Sequence, residues 1–492
     1  MCSNSPTSLE ERSLIEGLHP NSMEQYRTSP PRRRRVLLEP PVFLMFYAWN
    51  VSAAVFTDQI VYQACTVSLG INKSECALLG KEHESPEVQS LEARVQPYSA
   101  DILMVEAVMD SMLPAVLNLF IGPWSDRFGR KPVMIVSFVG CMVSYVIITT
   151  LCYLSDQLQL QLDPWLYAIA FVPTALSGGY CTLMTIVYCY IADVTCEQER
   201  GTKMTILEAS MFVGILLGNI SSSFILRMTN STTVFAIATL SVFLAVLYIV
   251  VEVRESIPTN EHQHDGFYEK FRYLLRPRLV IDTLNSSFSG RPHFDRAIIL
   301  MGTVALGGSM FAIEDTYTVF FLFLRKQFNW AVRKYSFYSS AETICMILGN
   351  LVGTYGLLNL AGMTEAGIAA IGFFSCLLKS IAIAVAYESW HLYLAIFVCM
   401  LSGSAGPMIR ASISNSIPPD DIGKIYSFAS TFEALMQLGA APLYTFVYKN
   451  TLSWYPGAFS WISAGVYAAC YCLTMSICIL QSIQRPIYTA VA

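Results

Sequence analysis

A chain in which 54% of residues are hydrophobic and only 14% are charged leaves few places for a charge to go unnoticed. Glu106 and Asp110 interrupt one apolar run, Glu208 another, and Glu314, Asp315, Glu342, Lys379, Arg410 and Glu433 interrupt later ones. An ion at the centre of a membrane helix costs on the order of 2.5–3.5 kcal/mol by insertion scales, so each of these asks for a partner or a task. A carboxyl withdrawn from water can take up a proton and give it back. An arginine stays ionised and offers a planar fork that a carboxylate fits. Glu208, beside Ala209 and Ser210, suits proton exchange; the alternative is a neutral or paired glutamate that locks helices together. Arg410 suits an external anion or an internal ion pair with Asp315, Glu342 or Glu433, and the two could alternate. Glu342 and Glu433 could instead face Lys379. Glu106 and Asp110, four apart on one helix face, could line a cavity or repel until one is protonated.

Helices must hold these groups. The 492 residues have a mean hydropathy of +0.48, and their charged fraction falls well below the roughly 25% of soluble domains. The apolar blocks reach about 20 residues, enough for a helix to cross a bilayer. Only helices and closed barrels satisfy every backbone group in hydrocarbon, and barrel strands would alternate over about 10 residues. Spans are expected at 42–66, 98–122, 132–154, 164–191, 203–226 and 233–253, then at 297–324, 337–360, 364–387, 389–413, 425–449 and 453–480. The expected architecture is therefore an all-α membrane protein with about twelve transmembrane helices in two six-helix bundles, residues 42–253 and 297–480. A tail at 1–41, a central loop at 254–296 and a tail at 481–492 complete it. Residues 1–41 are polar and end near four consecutive arginines (32–35), which reads as a tail rather than a cleavable signal peptide.

The net charge of −5, with no separate basic domain, gives no reason to expect a nucleic-acid partner; membrane lipid is the main solvent. A nucleotide loop, the HExxH spacing and a triad context are all missing, so neither an enzyme nor a cofactor nor a metal is expected. Most of the 14 cysteines lie inside apolar blocks and read as inert small residues.

Lys and Arg place the tails and the central loop in the cytosol. That side then receives the arginine run at 32–35, Arg127, Arg130, Lys131, Arg200, Lys203 and the basic residues of the central loop. Sequons at Asn72 and Asn230 fall in outer loops and are expected to carry glycans. The residues Glu10, Leu14 and Ile15 resemble an acidic dileucine signal read by sorting adaptors, which favours a lysosomal or endosomal membrane over the plasma membrane. A faint repeat lays residues 191–201 on residues 413–423, each at the inner end of the fourth span of its half.

Between the second and third spans runs GPWSDRFGRK, residues 122–131. Its glycines allow a tight turn and close helix approach, and its acid can cap a helix or pair with an arginine. The spacing Gly122, Asp126, Gly129, Arg130 resembles the inner-loop motif of major facilitator proteins. That resemblance implies transport by alternating access, with an inner latch at these four residues joined by Asp193 and Arg200. The equivalent turn of the second half, residues 355–362, lacks charge, so any latch is expected to be one-sided, mainly on the first half.

Further segments narrow the likeness. Residues 205–210 with Glu208, 407–414 with Arg410, 311–315 with Asp315, 191–193 and 454–457 are similar to solute carrier family 46. That family includes the proton-coupled folate transporter and lysosomal relatives that carry folates, steroid conjugates or peptidoglycan fragments. The resemblance implies proton coupling at Glu208, and cargo binding or coupling at Arg410, for a small organic anion moved toward the cytosol. It extends to a plasma-membrane folate-type importer, or to a non-transporting surface protein on the same fold. The sequence also departs from the family. Met310 stands where the folate transporter has a histidine. The outer loop near 325–337 has no cysteine to pair with Cys76, which either bridges to Cys65 or stays free. Proton/drug antiporters usually carry a Gly-Pro signature in the fifth span; here Gly214 and Gly218 stand without proline.

Overall fold

Polar side chains at the ends of two apolar blocks cap the helices that follow. In the computed structural model, which describes residues 37–76, 79, 86–158, 160–257, 267–274, 276–291, 294–328, 330, 332–418 and 421–491, the Asn230 side chain caps α6 (Ser231–Glu252) by accepting the Thr233 N–H at 2.9 Å. Thr364 does the same for α11 (Glu365–Ala384), accepting from Gly367 N–H at 3.1 Å. Such caps satisfy donors that a helix start leaves orphaned.

The preceding helices are α1 (Glu39–Gln63), α2 (Pro86–Phe128), α3 (Arg130–Gln157), α4 (Gly179–Val194) and α5 (Glu197–Met228). Two short helices follow α6, namely α7 (Phe267–Leu274) and α8 (Arg278–Phe288). The second half contains α9 (Asp295–Thr318), α10 (Val332–Thr354), α11, α12 (Ala405–Asn415), α13 (Ile422–Thr451) and α14 (Ala458–Val491). The described residues contain no strand.

Among the described residues, ten helices are long and apolar enough to cross a membrane, and an eleventh span forms if the pair Ser389–Val398 and Ser402–Asn415, bent by 41°, is counted as one. α13 fails that apolar test, because Glu433, Gln437 and several hydroxyls lie within it. With it, all the expected spans are present in order. The fourth and tenth are broken. The fourth comes in three pieces, Trp165–Ile169, Val172–Leu176 and α4, with Pro173 and the left-handed Gly178 beside the breaks.

Two expectations change. The second span was placed at 98–122, but its helix begins at Pro86 and runs 43 residues. The central loop contains α7 and α8, whose 8 and 11 residues are too short and too polar to register as apolar blocks. The question left open at Cys76 is settled: it is bridged to Cys65, with Cα atoms 5.9 Å apart.

The halves meet chiefly through the helix pairs α2 with α13, α4 with α13, α5 with α12, and α5 with α10. At the first of these a side chain on Gly122 would strike Ser427 and the Gly423 carbonyl, so only glycine admits this approach.

Candidate functional site

At the heart of the contact between halves lies one cation with two acids. Arg410 stands on α12, just after the break in the tenth span, and is 7% exposed. Its Nη2 donates to Glu433 Oε2 on α13 at 2.6 Å, while its Nη1 lies 3.7 Å from Glu208 Oε1 on α5. One acid belongs to each half. Tyr188 of α4 donates its hydroxyl to Glu208 Oε1 at 2.9 Å, and its ring faces the guanidinium at 4.7 Å from centroid to Cζ. Tyr426 stacks on Tyr188 and donates to the Arg410 carbonyl at 2.8 Å. Gly406 keeps the space open, since a Cβ there would sit 3.2 Å from Arg410 Nη1 and 3.3 Å from Glu208 Oε1.

This site is not saturated. Glu433 Oε1 is buried without a hydrogen-bond partner, and with both acids ionised the cluster carries one more negative than positive charge. In a medium of low polarity an unpaired buried charge is costly. A proton on one carboxylate, or an exchange of one carboxylate for an external anion, relieves that excess.

Asp315 and Glu342 are not part of this cluster. Asp315 accepts hydrogen bonds from Ser463 of α14 and from Thr316, the latter at 2.9 Å. Glu342 forms an ion pair with Lys379, one of the two arrangements left open above. Of the internal acids weighed for Arg410, only Glu433 reaches it. Glu106 and Asp110 have no ion-pair partner among the described residues, and Asp110 Oδ1 is buried without a hydrogen bond.

A second arginine cluster lies on the side bearing residues 122–131, the side expected to face inward. Arg130 is fully buried; its Nη2 donates to Asp126 Oδ1 at 2.6 Å, its Nε to Asp193 Oδ2 at 3.0 Å and its Nη1 to Ser125 Oγ at 2.5 Å. Asp126 then reaches the other half, accepting the backbone N–H groups of Gly423 at 2.9 Å and Lys424 at 3.2 Å. These are orphan donors at the start of α13, where a negative charge is favoured. Arg200 makes a separate cross-half bond to Asn415 Oδ1 at 2.6 Å, and Asn415 donates to Glu365 Oε2 at 2.7 Å. A one-sided latch, mainly on the first half, is the expectation from sequence; the ion pairs of Arg130 do lie there, but the network reaches both halves. The second half answers with backbone amides, an asparagine and Glu365.

Gly129 takes φ +107°, and the following turn is held by Glu255, which accepts the N–H of Arg130 at 2.8 Å and of Lys131 at 3.0 Å. Glu255, Glu365 and Tyr188 went unnoticed in the sequence. The faint repeat could have pointed to Glu365: Gly423 lies under the Asp126 carboxylate, and its counterpart Gly201 lies under that of Glu365. Of the remaining positions, Asn72 is exposed beside the Cys65–Cys76 bridge, and Asn230 is the α6 cap. Glu10, Leu14 and Ile15 lie outside the described residues.

Comparison with known proteins places these clusters in context. The sequence pattern of the Major Facilitator Superfamily matches residues 98–441. The chain is 30% identical over 444 residues to the probable peptidoglycan muropeptide transporter SLC46 of Drosophila melanogaster, covering 88% of this chain and 83% of that protein. It is 21% identical over 454 residues to the lysosomal proton-coupled steroid conjugate and bile acid symporter SLC46A3 of Gallus gallus, covering 88% and 92%. Its fold is similar to that of the human organic anion transporter MFSD10, with a TM-score of 0.65 at 14% identity over 90% of this chain and 100% of that one.

Proposed function

Because the chain belongs to solute carrier family 46 of the Major Facilitator Superfamily, we propose that it is a proton-coupled symporter of small organic anions, with Glu208 carrying the proton and Arg410 receiving the anion. As a member of that family it is a multi-pass membrane transporter and not an enzyme. The observation that carries the finer reading is the single guanidinium held between carboxylates of opposite halves, at 2.6 Å and 3.7 Å.

In this reading Glu433 is the resident partner of Arg410 and Glu208 the exchangeable one, as the two distances suggest. A proton on Glu208 removes its claim on Arg410 and frees one edge of the fork for a carboxylate. Bile acids, named for one relative, carry such a group. The halves then rock, and the bonds of Asp126 to Gly423 and Lys424 and of Arg200 to Asn415 break, which opens the inner side. In the less acidic cytosol Glu208 loses its proton, takes back Arg410 and expels the anion. Asp315 and Glu342 support this cycle from within the second half, through Ser463 and Lys379.

The orientation proposed puts both tails and the central segment in the cytosol, glycans on Asn72 and Asn230, and the protein in a lysosomal or endosomal membrane. The test of the central claim is uptake by the full chain in proteoliposomes with an imposed proton gradient, offered a bile acid, a steroid sulfate, a muropeptide and a folate. Glu208→Gln should lose gradient-driven uptake by at least about tenfold yet keep anion exchange; unaltered pH dependence would sink the assignment. Leu14→Ala with Ile15→Ala should move the protein to the cell surface. Loss of both Asn72 and Asn230 should abolish any glycosidase-sensitive mobility shift.

A further inference from the structure

The helix α8 is oriented against the usual pattern. Its buried face consists of Leu279, Thr283 and Ser287, set four residues apart against α2 and α13. Its larger apolar residues point outward: Ile281 is 54% exposed, Leu284 40% and Phe288 48%. Their spacing of three and four puts them on one side of the helix. A helix on a protein surrounded by water buries that side.

Depth explains why. Thr283 Oγ1 lies 3.4 Å from the carbonyl of Leu119, which is nine residues, or about 13 Å, inside the end of α2 at Phe128. The Phe288 ring meets Phe428 at 5.6 Å, six residues or about 9 Å into α13 from Ile422. The helix therefore lies beside the inner turns of two spans rather than beyond them, and its apolar row continues their lipid-facing surface. Its charges match that setting. Arg272, Arg276, Arg278 and Arg296 are exposed around it, against the exposed acids Glu269 and Asp282.

We propose that α8 lies in the boundary between headgroups and acyl chains, with Ile281, Leu284 and Phe288 in the acyl region and Arg272, Arg276 and Arg278 on anionic lipid headgroups. An apolar row flanked by arginines is the composition that binds such a surface. The lipid then bears on the inner gate. Asp421, at the start of α13, accepts from Ser286 at 3.3 Å and from Arg291 at 3.2 Å, so α8 is tied to the helix whose first amides hold Asp126.

The test does not depend on the transport reading. The full chain is placed in nanodiscs of phosphatidylcholine, with or without phosphatidylserine, and a nitroxide is attached at Leu284→Cys, Ile281→Cys or Asp282→Cys. Signals are read against the unsubstituted chain, whose own cysteines set the background. Labels at 281 and 284 should be relaxed by lipid-soluble oxygen and lose contact with a water-soluble nickel chelate; the label at 282 should do the reverse. Phosphatidylserine should widen that contrast, and Arg276→Gln with Arg278→Gln should erase the added part alone. Nickel reaching position 284 as readily as 282 would overturn the proposal. So would shielding of 284 from both reagents, which would mean that protein covers the face, and so would a contrast indifferent to phosphatidylserine.

Discussion

Arg130 and Arg410 are built from the same parts, a buried guanidinium and two carboxylates, and differ in how fully those parts are satisfied. Around Arg130 both acids come from the first half, and each has further donors: Gly423 and Lys424 amides on Asp126, the Ser256 hydroxyl on Asp193. Around Arg410 the acids come from opposite halves, one sits at 3.7 Å, and one oxygen of Glu433 has no partner. A saturated network holds a shape, because any change leaves a buried group unpaired. An unsaturated one has room for a proton or an anion. In the proposed cycle this contrast fits the inner cluster to holding and the central cluster to exchange.

The largest effect should come from breaking the saturated side. Arg130→Ala leaves Asp126 and Asp193 buried without their cation, a loss of about 3–5 kcal/mol, and should lower the thermal midpoint of the purified protein sharply. Arg410→Ala should cost less stability while abolishing uptake. Equal shifts in midpoint for the two variants would remove the distinction. Next in size, Glu433→Gln takes away the surplus charge at the central site. It should leave the midpoint unchanged or raised, yet weaken proton-driven uptake by at least about tenfold, since 1.4 kcal/mol corresponds to that factor. A midpoint drop as large as that of Arg130→Ala would place Glu433 in a saturated network after all.

A smaller effect concerns pH at the rim. Burial raises the affinity of Asp421 for its proton, but the bond from Lys424 and the charges of Lys424 and Arg291 outweigh it and hold this carboxyl below its usual range. A carboxyl held low contributes stability above its unfolded pKa and loses it as pH falls through the folded value. The tie between α8 and α13 should therefore persist at mildly acidic pH and weaken only below the ordinary carboxylate range. Asp421→Asn should change hydrogen exchange in α8 slightly at neutral pH and not at all in strong acid; a change that persists in strong acid would contradict this.

Much of this could be read from residue order alone. The apolar blocks announce most of the expected spans because lipid demands about 20 apolar residues in each, and the 122–131 motif announces its turn because Gly129 must take a positive φ. Glu208 and Arg410 are visible because a charge in an apolar run is rare. Their partners are not. Glu433, Glu342 and Asp315 looked alike on paper, each an acid in a late span, and only the arrangement of helices sends Glu433 to Arg410, Glu342 to Lys379 and Asp315 to Ser463. The second half of the inner cluster was hidden for another reason: its donors to Asp126 are backbone amides of Gly423 and Lys424, which every residue except proline possesses. α8 was hidden because its small buried face and exposed apolar row carry no signal until their depth beside α2 and α13 is known. The sequence by itself thus determined which groups are charged and which segments enter lipid, since both follow from local composition. Tertiary structure alone decided which charge meets which, because that depends on side chains as far apart in sequence as Glu208 and Arg410 arriving on facing helix surfaces.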